Sequence, residues 1–327
     1  NHFQTKKDSF ESFLPKGRPL FSAETDTADI RFAVNENGDM SGKFESNHLA
    51  FHSAGDKGLS LNLKEPALTL DMSGRKSEVC LRAASLDPVL QKPEIFFVRN
   101  PDSSSTTLRF SAEQMKMEPA QTYANAFIGK NGVTRNIFRI IESGVSPNIK
   151  VAFENENISG LFAPDNLIIK GALGSGTVHI PGTDLTAENV SGNAFMKEGT
   201  LDLEIDNGNI DQSTIHHGTV SVQLLSGPTV PFTSRFSLTA DLGQAPATLT
   251  RLVDNEPFAK ELARMDVTTG TALVDLYLEK KREKNLTVEI DAENIRLKGE
   301  YDRMNDPLEV FDGSFSYKNK TARTRAV

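Results

Sequence analysis

The chain has no tryptophan and one cysteine, Cys80, in 327 residues. A single thiol excludes an intrachain disulfide and any cysteine metal cluster. No run approaches the roughly 18 apolar residues that a membrane helix needs, and the opening NHFQTKKDSF has no signal-peptide core. Apolar residues make up 38%, against about 45 to 50% in ordinary globular domains. That shortage favours an extended sheet with one wet face over a compact two-layer core. Net charge is -8, and no domain-sized stretch is basic, which argues against nucleic acid as a partner. A chain that begins on Asn and stops at TARTRAV reads as a piece of a longer protein.

What the chain has in abundance is alternation. Leu201, Leu203 and Ile205 take every second position in LDLEI. Val220, Val222 and Leu224 do so in TVSVQLL, and Phe236, Leu238 and Ala240 in RFSLTA. The same pattern returns in Val274, Leu276 and Leu278 and in Leu286, Val288 and Ile290. A period of two places these side chains on one face of a strand. Further strands are expected around Ile30–Val34, Leu49–Phe51, Leu59–Leu63, Leu68–Met72, Val79–Ala83, Ile95–Val98, Thr107–Phe110 and Ile149–Phe153. After these come short pieces at 167–170, 177–180, 194–196, 271–278, 286–292, 294–298 and 314–317. Asn37-Gly38 signals a hairpin. The glycines from Gly171 to Gly218 read as punctuation between short strands.

Two stretches break the sheet pattern. In the first, Val133, Ile137, Phe138, Ile140 and Ile141 recur at helical spacing, with Asn131 or Thr134 as cap and Gly144 as the left-handed stop. A weaker helix precedes it at 118–128. In the second, Leu249, Leu252 and Val253 fit one short helix, and Asp254 or Asn255 caps another that carries Leu262 and Met265, with Pro257 near its start. The expected fold is mainly β: one or more large, mostly antiparallel sheets with two short helical insertions. Its parts are a linker or leading strand (1–25), an N-terminal β part (26–111), a helical insertion (112–144), a central β part (145–244), a second helical insertion (245–266) and a C-terminal β part (267–327).

Catalytic signatures are weak. GALGSG (Gly171–Gly176) loosely resembles a phosphate loop, but TVHIP follows it where such a loop needs a helix N-terminus. His48 and His52 at i, i+4 on a strand stand about 13 Å apart, too far for one metal, and His216 and His217 should point to opposite faces. Asp202, Glu204 and Asp206 read as the wet face of a strand. The run EKKREK (Glu279–Lys284) reads as a solvated hairpin turn. Four N-x-S/T triplets, at Asn157, Asn189, Asn285 and Asn319, are unremarkable in a chain rich in Asn, Ser and Thr. No catalytic residue, metal or cofactor is expected, and the chain is not read as an enzyme.

The stretch GALGSGTVHIPGTDLTAENVSGNAFMKEGTLDLEIDNG, followed by HHGTVSVQLL, resembles the AsmA-like proteins of Gram-negative bacteria, the repeating β-groove group that includes TamB. FSLTADLGQAPATLTRLV, LTVEIDAENIRLKGEY and the earlier GVTRNIFRIIESG are similar to the same family. The resemblance implies a periplasmic segment of a protein anchored in the inner membrane by a helix outside this chain, engaging an outer-membrane protein. It also implies a long curled antiparallel β-sheet, an open, taco-like groove whose apolar concave face carries phospholipid, or another acyl lipid, between the membranes, with parts 26–111, 145–244 and 267–327 as stretches of that groove. Leu201, Leu203, Ile205, Val220, Val222, Leu224, Phe236, Leu238, Val274, Leu276, Leu278, Leu286, Val288 and Ile290 would line it. A non-enzymatic structural or adhesive scaffold in envelope assembly is the alternative. A carbohydrate-active β-solenoid is a third reading, disfavoured by uneven segment lengths.

Overall fold

A computed structural model describes residues 21–53, 60–74, 76–100, 102, 105–127, 132–156, 161–225, 230–282 and 284–326. The expectations for a linker over 1–20, for Leu59, for Asn131 as a cap and for the triplet at Asn157 lie outside the described residues. Strand accounts for 67% of the described residues, which settles the class as mainly β. Among the described residues the sheet is large, antiparallel and open, with four α-helices, as expected of a curled sheet with short helices. Two compact units are distinguished. The first comprises residues up to 138 with 143–172 and 195–199, and the second comprises 139–142, 173–194 and residues from 200 on.

The first unit begins with β1 (Phe21–Thr25), β2 (Ala28–Val34), β3 (Met40–Ser46), β4 (His48–Ser53), β5 (Ser60–Lys64), β6 (Ala67–Ser73), β7 (Lys76–Arg82), β8 (Ser85–Asp87), β9 (Leu90–Asn100) and β10 (Ser105–Lys116). The first eight are four long strands, each broken once: β1 continues into β2, β3 into β4, β5 into β6 and β7 into β8. The breaks fall at one level. Ser46 N donates to Pro66 O at 3.1 Å, Glu65 N to Asn47 O at 2.9 Å, Ala84 N to Lys64 O at 2.9 Å and Ala83 N to Pro93 O at 3.1 Å. Pro66 and Pro93 suit this line because proline cannot donate to a ladder. Aligned irregularities of this kind bend the strands and raise their twist.

The break also resets the alternation, so the apolar side chains stay on one face across the crease. Leu49, Leu63, Leu86 and Leu90 stand opposite one another in one row. Ile30, Phe44, Leu68, Leu81, Ile95 and Phe110 form the next. Phe32, Gly42, Leu70, Val79, Phe97 and Leu108 form a third. Leu63 and Leu90 are buried, whereas Ile30, Phe32 and Val34 are 42%, 66% and 65% exposed. The expected hairpin at Asn37-Gly38 is present. Gly38 takes φ +83, and Asn35 Oδ1 accepts from the N–H of Asn37 and of Asp39 at 2.9 Å each.

The helices α1 (Met117–Phe127) and α2 (Gly132–Ile140) lie in the first expected insertion. Tyr123 Oη donates to Ser60 O at 3.2 Å, tying α1 to the start of β5. Thr134 is inside α2 and not its cap. Ile141 and Gly144 belong to β11 (Ile141–Asn155), so Gly144 with φ +119 is a strand irregularity and not a helix stop.

β12 (Leu167–His179) and β13 (Thr186–Lys197) have residues in both units. In the second unit, β14 (Thr200–Ile210), β15 (Ser213–Gln223), β16 (Phe232–Asp241), β17 (Met265–Lys280), β18 (Thr287–Tyr301), β19 (Leu308–Lys318) and β20 (Thr321–Ala326) pair antiparallel in chain order. α3 (Ala245–Leu252) and α4 (Glu256–Leu262) stand between β16 and β17. Met265 therefore opens β17 instead of continuing the helix. Of the EKKREK run, Glu279 and Lys280 end β17, and Lys281, Arg282 and Lys284 lie between β17 and β18.

Strands here are longer than the sequence suggests, because many glycines and asparagines that read as turns lie inside them. Asn294, with φ +54, sits inside β18 and joins the two pieces expected at 286–292 and 294–298. Gly171, Gly174, Gly176, Gly192, Gly208 and Gly218 all lie within strands, whereas Gly182 and Gly199 are turn residues. On β15 the register shifts between Ile215 and His217, so His216 is extra and both His216 and His217 are exposed, contrary to the expected opposite faces. Gly218 then turns inward, opposite Phe236, where a Cβ would meet the Phe236 ring at 2.7 Å. A Cβ on Gly192 would lie 2.0 Å from Glu204 O, which is backbone and cannot swing away. Gly192→Ala should therefore lower the urea midpoint of the second unit, by a cost of about 2 to 3 kcal/mol. An unchanged midpoint would show that the two strands do not approach so closely.

Ser234 is an exception on the inward face. Its side chain is fully buried between Val220 and Leu278, and its hydroxyl has no hydrogen-bond partner among the described residues. An unpaired buried hydroxyl costs about 1 to 3 kcal/mol. Ser234→Ala is expected to raise the unfolding midpoint, and a lower midpoint would contradict this placement.

Candidate functional site

The end of the second unit near α3 and α4 differs from its middle. Ala240 stands opposite Ala272, and Ala292 lies opposite Val274 on the neighbouring strand. Where Leu or Phe would fill the inward face, these three short side chains leave a gap. The two helices roof it. Pro246 and Pro257 sit in their first turns, where a missing N–H costs nothing. Asn255 caps α4 as expected, its side chain accepting from Phe258 N at 3.3 Å. Phe258 then stacks on Phe315 and Tyr317 of β19, with centroids 6.0 and 5.3 Å apart.

Beneath the roof is a cavity of about 650 Å³. Leu249, Leu252 and Leu262 line it from the helices, Leu238 and Ala240 from β16, Val267, Val274 and Leu276 from β17, and Ile290, Ala292, Ile295 and Leu297 from β18. Val310 and Phe315 close it from β19, and Leu185, from the turn between β12 and β13, reaches it as well. Gly182 in that turn packs against Phe232 and Lys280, where a Cβ would approach to 3.0 and 3.3 Å. Contact between this turn and the distant pair β16–β17 shows the curl within the second unit.

Polar clusters fasten the roof at its margins. Arg251 and Thr248 of α3 each donate to Asp211 Oδ2 at 2.9 Å, and Asn255 Nδ2 donates to Lys320 O at 3.2 Å. On α4, Glu261 accepts a short hydrogen bond from Tyr301 Oη and another at 2.9 Å from Arg303. The Tyr301 hydrogen bond, with Arg303 and Arg264 close by, holds the Glu261 carboxyl below its ordinary value of 4.5, and the same bond pushes the Tyr301 hydroxyl up. A carboxylate whose value is lowered by folding adds stability above 4.5, and that stability is lost as pH falls through the lowered value. The urea midpoint of the second unit should therefore drop on acidification through this range, and less steeply in Glu261→Gln. Identical pH profiles for the two proteins would remove Glu261 from the account.

Of the residues expected to line a groove, Leu238, Val274, Leu276 and Ile290 border the cavity. Leu201, Leu203, Ile205, Val220, Val222, Leu224, Phe236, Leu278 and Val288 share the inward face, but they are buried and do not border it. Leu286 is half-buried, just before β18. The packed part of the face is filled by the protein's own side chains, Phe236 taking the space that Gly218 leaves. Ala240 is legible as part of the alternating apolar face but not as a cavity residue, and Ala272, Ala292 and the inward faces of the helices are not among the expected groove residues. Alanine at inward positions of otherwise Leu- and Val-rich strands was the available signal.

No protein-family model, no characterised protein and no solved structure matches this chain. The likeness to AsmA-like proteins thus rests on the sequence stretches quoted for it.

The other sequence candidates do not assemble a reaction centre. Gly171–Gly176 lies within β12 and has no helix after it. His48 Nε2 is 3.2 Å from Asn62 Oδ1, and His52 Nε2 is 3.6 Å from Glu24. His216 Nε2 is 2.7 Å from Thr239 Oγ1. Asp202, Glu204 and Asp206 face outward, Asp202 accepting from Ser221 Oγ at 2.6 Å. Among the described residues no three His, Cys, Asp or Glu side chains gather where they could hold a metal ion. What the arrangement can do is sequester an apolar chain.

Proposed function

We propose that this chain is a non-enzymatic lipid-binding segment of an AsmA-like periplasmic protein, taking the acyl chain of a phospholipid or related lipid. The cavity under α3 and α4 carries the reading: at about 650 Å³ it falls within the roughly 300 to 1,000 Å³ of small-molecule sites, and its walls are mainly aliphatic and aromatic, with polar residues such as Asp211, Glu261 and Arg325 also among its lining. Each methylene buried there contributes about 0.8 kcal/mol, so a chain is held without a precisely placed polar partner. The apolar rows of the first unit, left partly open at Ile30, Phe32 and Val34, are a second surface of the same chemistry. Inner-membrane anchoring through a helix outside this chain, and passage of lipid towards an outer-membrane protein, belong to the same proposal.

The closely packed inward face of β14 and β15 favours a second reading, a structural scaffold whose interior is filled by its own side chains. Organic extracts of protein purified without detergent separate the two. Stoichiometric acyl lipid in the mass spectrum is expected. Protein that carries none, and takes up none from phospholipid vesicles, leaves the scaffold.

A further inference from the structure

A methylene fills about as much space as a water molecule does in the liquid, roughly 30 Å³. At that density the 650 Å³ beneath α3 and α4 holds about twenty carbon groups. One acyl chain of ordinary length fits there. The pair carried by a diacyl phospholipid needs roughly 1,000 Å³ at the same density and does not fit.

The cavity is also held at its present width. Arg251 and Thr248 fix α3 to Asp211, Asn255 fixes the helix junction to the carbonyl of Lys320, and Tyr301 and Arg303 fix α4 through Glu261. Lifting the roof over a second chain would part these attachments. The rest of the inward face gives no second trough among the described residues of this unit, since Leu201, Leu203, Val220, Val222 and Leu278 are at most 4% exposed.

A lipid that leaves a bilayer gives up the burial of every chain it carries. A single-chain lipid regains that burial beneath the roof. A diacyl phospholipid would leave one chain in water, which lowers affinity roughly fourfold for each methylene and over a whole chain forbids the exchange. Granted the lipid-binding reading, on which this rests, we infer that the cavity takes one acyl chain only, so that its ligand is a single-chain lipid, a free fatty acid or a lysophospholipid. Ala240 and Ala292 set how long that chain can be, because each is short where the preceding inward position on its strand is Leu238 or Ile290.

Displacement of a fluorescent fatty acid from the full chain, by fatty acids of twelve to twenty-four carbons, measures the length. Affinity should rise roughly fourfold per methylene and level off near about twenty carbons. Ala240→Leu adds an isopropyl group to the wall and should move the plateau to shorter chains. Leu249→Ala removes one and should move it to longer chains, and these opposite signs separate a reshaped cavity from a damaged fold. The number of chains is read by incubating the protein with oleate, with oleoyl lysophosphatidylglycerol and with dioleoyl phosphatidylglycerol vesicles, then counting lipid in extracts of the re-isolated protein. Oleate, the lysophospholipid or both should load stoichiometrically, the pattern telling which headgroup is accepted, and the diacyl lipid should not load. Diacyl lipid loaded as fully as oleate, an affinity that climbs unchecked to twenty-four carbons, or a plateau that neither variant moves would each overturn the inference while leaving a lipid site standing. Uptake of none of these lipids would instead remove the lipid-binding reading itself, and the inference with it.

Discussion

Replacing Leu203 with Asp is expected to unfold the second unit. Leu203 is buried on the inward face of β14, opposite Val220 and flanked along its strand by Leu201 and Ile205. Removing a buried Leu side chain costs about 2 to 5 kcal/mol, and placing a carboxylate there without a partner adds several more. Together these rival the whole stability of a typical domain, about 5 to 15 kcal/mol. The matched control is Glu204→Lys, exposed on the other face of the same strand, with an effect within about 0.5 kcal/mol. Circular dichroism and urea titration distinguish them. A folded Leu203→Asp with the parent's midpoint would mean that this part of the face is an open, hydrated trough after all.

Ala292→Phe should have the opposite character, leaving the fold intact and abolishing ligand uptake. Ala292 borders the cavity beside Ala272 and beneath the helical roof, so a benzyl group there grows into vacant space. If it displaces about four methylenes of a bound chain, the loss is about 3 kcal/mol, or more than a hundredfold in affinity. Filling a void leaves stability equal or higher. Titration with a fluorescent fatty acid, alongside thermal unfolding, reads both effects. Undiminished binding by a folded Ala292→Phe would place the acyl chain elsewhere.

These two variants mark where the sequence was informative and where it was not. Alternation at Leu201, Leu203 and Ile205, or at Val220 and Val222, correctly identified an inward face, because a strand has only two faces and one must be apolar. It could not say whether that face is packed or vacant. Vacancy depends on neighbours across strands, here Ala240 opposite Ala272, and on helices that arrive from a different stretch of chain. The helix cap at Asn255 was legible because capping is local. The aligned breaks at Asn47, Glu65–Pro66 and Ala83–Ala84 were not, since a crease is a property of four strands in register. For the same reason Gly192 and Gly218 read as turns when they are points of close approach within strands.

The central claim is that an acyl chain lies under α3 and α4. A fatty acid with a diazirine near its methyl end, loaded from vesicles and photolysed, reports this directly once the adducts are mapped by peptide mass spectrometry. The account predicts labelling on cavity-lining residues of the helices and facing strands, among them Leu249, Met265 and Ile295, and its loss in Ala292→Phe. Adducts confined to β14 and β15, or labelling that Ala292→Phe leaves unchanged, would contradict it.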